Sequence, residues 1–226
     1  MRWSVVVPSA RAENVVRSLT SLLLTHPGLE TNRIIVIDDG AREAAEPLLP
    51  SGITWVRGEA PFIWARNVNR GFEAARDPAI AIMGDDVEIM TERGFDRLAE
   101  GLEGHPEIGA LSTAVRGVVG NPRQECGRGE GLVYDNTWLA FVCVMVRRAA
   151  WDAIGPLDES FEGYGCDDVD YSWRLRDKGF RMGILHSSVV RHDGSIPSTY
   201  RAKNNVNNLS EANRRRLEEK WGQTWR

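Results

Sequence analysis

Short apolar runs rich in β-branched residues punctuate the first ninety positions: WSVVVP at 3–8, RIIVID at 33–38, ITWVRG at 53–58 and AIAIMG at 79–84. Between them lie AENVVRSLTSLLL, AREAAEPLL and WARNVNRGFEAAR, whose apolar residues mostly recur every three or four positions, the period of a half-buried helix. The order is therefore βαβαβα. Because the strands are apolar throughout and do not alternate, both of their faces must be covered. An α/β fold follows, with a mainly parallel central sheet and helices on both faces. In such sheets ligands collect outside the carboxyl ends of the strands.

The second half is less regular. IGALSTAV reads as a strand, TWLAFVCVMVRR as a longer one, and RRAAWDAIG as a short helix stopped at Gly155-Pro156. DDVDYSWRLRDKG reads as a helix closed by Gly179, and RMGILH and SSVVRH as two short strands. The polar stretch GSIPSTYRAKNNVNNLS is either a surface loop or a mobile lid leading into a terminal helix. On that helix RRRLEEKWGQTWR would occupy the solvated side or, as the alternative, meet a partner or a membrane surface. With 226 residues, 42% hydrophobic and 27% charged, one globular domain with a sizeable core is expected. The net charge of −4 gives no footprint for general polyanion binding. Cys126, Cys143 and Cys166 form no CxxC pair, so free thiols are expected. No apolar run reaches the roughly 18–20 residues of a membrane span, and the apolar start is too short for a secretory signal. The expected location is cytoplasmic.

Two of the apolar runs end in acids. RIIVIDDG closes on Asp38 and Asp39, and AIAIMGDDVEIM on Asp85 and Asp86 with Glu88 beyond. In a parallel sheet these two pairs meet along one edge. Adjacent carboxylates repel one another and are costly to desolvate, and a divalent cation with a preference for hard oxygen ligands, Mn2+ or Mg2+, relieves both costs. The plainer alternative is that Asp85 and Asp86 cap the following turn. Asp167 and Asp168 stand where a helix begins, and capping, which stabilises by roughly 0.5–2 kcal/mol, needs only one of them. Asp168 is then available to accept a proton from an incoming hydroxyl. His192 ends the run SSVV; imidazole is a good manganese ligand, although an isolated histidine is more often structural. Of the eight tryptophans, most serve core packing; Trp138, in YDNTWLAF, is the one selected here as a wall for a sugar or acceptor.

Taken in order, VVVPSARAENVVRSLTSLL, IIVIDDG, ARNVNRGFEAAR, GDDVEI, GPLDESFEGYGCDDVDYSWRLRDKGF and VVRHDGS resemble the inverting glycosyltransferases of the family 2 type, which have the GT-A fold. The resemblance covers approximately residues 3–195, and GYGCDDVDYSWRLRDKG is its most specific piece. It implies a single GT-A domain over 1–205, with a nucleotide-binding half (1–90) and an acceptor-binding half (91–205), followed by a C-terminal helix or tail (206–226). It implies a nucleotide-diphosphate sugar as donor and an acceptor hydroxyl on a glycan, lipid, protein, small molecule or modified DNA base. Pro8 and Ser9 would lie by the nucleotide. Asp38 would hydrogen-bond the base, with Asp39 beside it, and Arg66 and Asn67 would reach the nucleotide or its diphosphate. Asp86 matches the last acidic position of the family's Asp-x-Asp motif and His192 a histidine that completes the metal shell. Asp168 matches the catalytic base, with Asp167 holding hydroxyls beside it.

One departure stands out. The motif would put an acid at position 84, where this chain has Gly84, so either Asp85 makes the ribose contact from a shifted position, the preferred reading, or Asp86 and Glu88 form an Asp-x-Glu variant. Two further readings remain: a non-catalytic nucleotide-sugar binding module whose metal site is lost at Gly84, and a sugar nucleotidyltransferase. The latter would carry a glycine-rich basic loop after its first strand, where VVVPSARAEN has none. MGDD also resembles the Gly-Asp-Asp turn of palm-type polymerases, but that turn belongs to an antiparallel hairpin in a much larger chain.

Overall fold

The computed structural model describes residues 1–163, 165–192, 194 and 206–225, the last stretch without the side chains of 206–208. The lid segment anticipated at 194–210 therefore lies mostly outside the described residues. The strands are β1 (Trp3–Ser9), β2 (Ile34–Asp38), β3 (Thr54–Arg57), β4 (Ala79–Met83), β5 (Glu88–Ile89), β6 (Ile108–Gly117), β7 (Leu132–Tyr134), β8 (Cys143–Arg147) and β9 (Arg181–His192). The helices are α1 (Ala12–Thr25), α2 (Arg42–Ala45), α3 (Trp64–Ala74), α4 (Gly94–Gly104), α5 (Arg148–Ile154), α6 (Asp167–Asp177) and α7 (Val206–Trp221).

The strands form one mixed sheet in the order β3-β2-β1-β4-β8-β6-β9-β5, with β7 on β9. Its first four strands are mutually parallel, and their register sets Ser9 opposite Asp38. Pro8 lies beyond the last β1–β4 pair, Val6 with Ile82, where a residue without an N–H costs that ladder nothing. Beyond β4 the sheet turns antiparallel through β8, which pairs with β4 on one side and β6 on the other.

Both faces are covered, as continuous apolar strands require. Val5 and Val7 of β1 and Ile34 and Val36 of β2 pack with Leu19 and Leu22 of α1 and Phe95 and Leu98 of α4. The intervening Val6, Ile35 and Ile37 face the other way, onto Val68 and Phe72 of α3, Trp151 of α5 and Tyr171 of α6. On this second face Phe72 and Trp151 stack with ring centroids 3.7 Å apart.

Two expectations for the second half are corrected. The strand anticipated over 137–148 is confined to Cys143–Arg147. Ahead of it, side chains replace the ladder: Asn121 donates to the Trp138 carbonyl, Gln124 both donates to and accepts from the Ala140 backbone, and Leu139 N–H donates to Ser172 Oγ. A backbone satisfied in this way needs no neighbouring strand. The two short strands anticipated over 181–192 are one strand, β9. Its break is a register shift, where pairing passes from Thr113–Leu185 to Ala114–Val189.

Candidate active site at the carboxyl edge of the parallel strands

The donor side is built from the ends of β1, β2 and β4. Ser9 Oγ donates to Asp85 Oδ2 at 2.7 Å, linking the last residue of β1 to the turn after β4. Asp38 directs Oδ1 into the start of α2, where it accepts from the backbone N–H groups of Gly40, Ala41 and Arg42 at 2.7–2.9 Å. Asp39 instead faces α3 and accepts from Asn67 Nδ2 at 2.5 Å. Burial pushes the Asp39 carboxyl up to about 6, with Asp38 adding to the effect against the Asn67 hydrogen bond. Asn67 is itself fully buried, and its Oδ1 has no hydrogen-bond partner among the described residues. Arg66, one residue earlier, points elsewhere: it contacts Glu59 at 3.4 Å and Glu159 at 3.3 Å in an open groove of about 670 Å³. The structure thus separates Arg66 from Asn67, as consecutive helical residues about 100° apart must be.

The turn after β4 splits its acids. Asp85 lies against the β1–α1 connection, and burial raises its carboxyl to about 6 despite the Ser9 and Asn14 hydrogen bonds. Asp86 faces the other way, with Oδ2 3.3 Å from Nε2 of His192 at the end of β9. His192 Nδ1 is bonded to the Val118 carbonyl, which as an acceptor requires Nδ1 to carry the proton. An imidazole oriented in that way, with Nε2 beside a carboxylate, is the arrangement in which a cation or a proton between the two groups is favoured. Glu88 is committed to Arg191, its cross-strand partner, and to Arg17 at 3.4 Å, which removes it from the acidic set. Among the described residues no group of three or more His, Cys, Asp or Glu is placed to hold a metal ion by itself. The Asp86–His192 pair fits a hard divalent cation that keeps most of its coordination for phosphate oxygens and water.

Asp167 and Asp168 arrive on a strained turn. Cys166, the N-cap of α6, has φ of 74°, in the left-handed region that non-glycine residues rarely adopt. Asp167 is 8% exposed. Burial drives both carboxyls above the usual aspartate range, and the neighbouring Asp168 adds to the effect on Asp167. Two adjacent acids, one buried and one half-buried, cannot both ionise freely, so the pair retains a proton at a pH where an exposed aspartate has lost it. Asp168 is helped to ionise by backbone N–H groups, Val169 at 2.8 Å and Phe141. The next residue, Val142, accepts from Gly84 N–H at 3.1 Å. The β7–β8 connection is thereby hydrogen-bonded to the turn that carries Asp85 and Asp86.

Trp138 is half-buried, edge-on to Trp225 at 5.7 Å and packed against the small apolar cluster around Phe161, Cys166, Val169, Trp173 and Leu217. Two further polar residues lie buried near the carboxylates, the first in the Asp-x-x-x-Arg spacing of the acidic motif's helix. Asp170 is fully buried on Arg174, Lys220 and Trp221, and Asn213 of α7 is 2% exposed. The i,i+4 spacing of Asp170 and Arg174 signals the first of these partners. Contacts with α7 leave no local signal.

This architecture defines a GT-A glycosyltransferase fold. The chain is similar to the mannosyltransferase PcManGT from Pyrobaculum calidifontis in complex with GDP-Man and Mn2+, with TM-score 0.65 and 18% identity over 89% of this chain and 59% of that one. It is also similar to GalNAc-T7 with UDP, GalNAc and Mn2+, with TM-score 0.71 and 14% identity over 97% of this chain and 48% of that one. Residues 4–131 match the model of Glycosyl transferase family 2, and the chain belongs to that family. The O-antigen biosynthesis protein RfbC of Myxococcus xanthus is 23% identical over 235 residues, covering 86% of this chain. The match takes in 18% of RfbC, so the chain spans less than a fifth of that relative.

Proposed function

We propose that the domain moves a sugar, with inversion, from a nucleotide-diphosphate sugar to a hydroxyl of a saccharide acceptor. Asp86 and His192 would hold a divalent cation, Mn2+ or Mg2+, which when bound would supply positive charge to offset that on the diphosphate leaving group. Asp38, Asp39 and Asn67 meet the base side of the donor, Pro8 and Ser9 line its path along β1, and Asp85 takes the ribose. Arg66, held by Glu59 and Glu159 in a separate groove, takes no part in that contact. Asp168 accepts the acceptor's proton as its oxygen attacks the anomeric carbon from the face opposite the diphosphate. Asp167, beside it, holds a hydroxyl of the acceptor or donor. Trp138 forms the apolar wall against which a sugar ring stacks.

The observation that carries this reading is the meeting of Asp86 with His192 at 3.3 Å, at the same sheet edge as the ends of β1 and β2. Support for a divalent cation and a nucleotide donor comes from the neighbours crystallised with Mn2+ and with GDP-Man or UDP. Support for a saccharide acceptor comes from the name of RfbC, an O-antigen biosynthesis protein. The test is donor hydrolysis, in which water takes the acceptor's place. Asp168→Asn should abolish turnover of a nucleotide sugar in the presence of Mn2+ while the same donor still raises the melting temperature. Parental turnover in that variant excludes Asp168 as the base.

A further inference from the structure

The carboxylate pair is delivered by a turn, and a turn with Cys166 at φ of 74° keeps its shape only if its surroundings over-determine it. Much of that surrounding comes from α7. Asn213 donates Nδ2 to the carbonyls of Glu162 at 2.9 Å and Gly165 at 3.0 Å, so one buried amide bridges both ends of the segment leading into Cys166. Leu217, fully buried one helical turn later, packs with Cys166 and Val169. A turn further on, Trp221 Nε1 donates to Asp170 Oδ1 at 2.9 Å and Lys220 Nζ lies 2.8 Å from the same oxygen. Asp170 closes the first turn of α6 with its N–H on the Cys166 carbonyl. Residues 213, 217, 220 and 221 share one face of a helix, so α7 grips this turn from before Cys166 to after Asp168.

We propose that α7 is a positioning element of the transferase site and Asn213 its main positioning residue, fixing the reach of Asp168 toward the acceptor oxygen. The inference rests on the reading of Asp168 as the base. A general base misplaced by about 1 Å loses on the order of a hundredfold in rate, so a grip on the turn outside the reacting groups has catalytic weight.

The test compares the parent protein with Asn213→Ala and Lys220→Met, with Asp168→Asn as control. The donor probe is whichever of GDP-mannose, UDP-GalNAc and UDP-GlcNAc gives the largest melting shift with Mn2+. Asn213→Ala should lower kcat for donor hydrolysis about tenfold and leave the donor KM unchanged. In the same variant, amide deuterium uptake should rise over 162–170 and stay at the parental level over β1 and β4. Lys220→Met should move both readouts in the same direction by less, and it decides the question if Asn213→Ala fails to fold. Parental uptake over 162–170 in the folded variants overturns the inference, as does a fall in kcat matched by an equal rise in donor KM. Parental turnover in Asp168→Asn would sink the base and leave the uptake result to judge the grip of α7 alone.

Discussion

An aspartate at position 84 would complete the family's acidic pattern, yet the Cβ it brings would stand 2.7 Å from Asp86 Oδ1. The clash falls on the carboxylate assigned to the metal, and a third acid would add repulsion in a turn that already holds two. Gly84→Asp should therefore raise the Mn2+ concentration needed for half-maximal donor hydrolysis about tenfold; a lowered requirement would mean that the new carboxylate joins the cation. Asp85 poses a separate residue-scale question. Its carboxyl titrates at about 6 in the folded protein against 3.8 for the unperturbed group, so the fold prefers the protonated form. The stability it contributes is present in full below the unfolded value and is lost as pH rises through the folded one. Asp85→Asn, which keeps an oxygen for Ser9 Oγ, should raise the melting temperature of the unliganded protein above pH 6 and leave it unchanged near pH 4. Melting curves from pH 4 to 8 decide this, and a uniform loss at every pH would contradict it.

At the scale of elements, α3 is pressed onto β1 because Gly71 has no side chain. A Cβ there would come within 2.1 Å of Val6 Cγ1, and Val6, β-branched and in a central strand, cannot withdraw. Gly71→Ala should destabilise by about 1–3 kcal/mol through overpacking, read as a lower urea midpoint with an unchanged slope. An unchanged midpoint would show that the helix can slide without cost. Strands β1 to β4 and helices α1 to α3 were legible because continuous apolar runs alternate with stretches of helical period, whereas α4 and the two-residue β5 were not read from the sequence. The span 137–148 was misread because its apolar residues carry a strand-like composition while Asn121, Gln124 and Ser172, distant in sequence, hold the backbone of 138–140. Strand β9 was divided in two because its register shift leaves a polar interruption, His186–Ser188, that looks like a turn.

For the whole molecule, the parallel half and its acidic strand ends could be read from local pattern together with the rule that ligands gather at the carboxyl edge. The antiparallel insertion of β8 between β4 and β6 could not, because long-range register has no local signature. The same holds at the site. The convergence of Asp86 and His192 followed from motif order, whereas the divergence of Asp85 from Asp86 and the docking of α7 depend on backbone direction within turns. Trp138 belongs to this scale because it joins the β7–β8 connection to the tail through Trp225. Trp138→Ala should raise the KM for a saccharide acceptor more than it lowers kcat, and an unchanged KM removes it from the acceptor wall. The most direct measurement is a crystal of the protein grown with Mn2+ and UDP or GDP, located by anomalous scattering from manganese. A peak bonded to Asp86, His192 and the diphosphate is the predicted result; manganese bound to the diphosphate with both side chains turned away would contradict the proposed cation site.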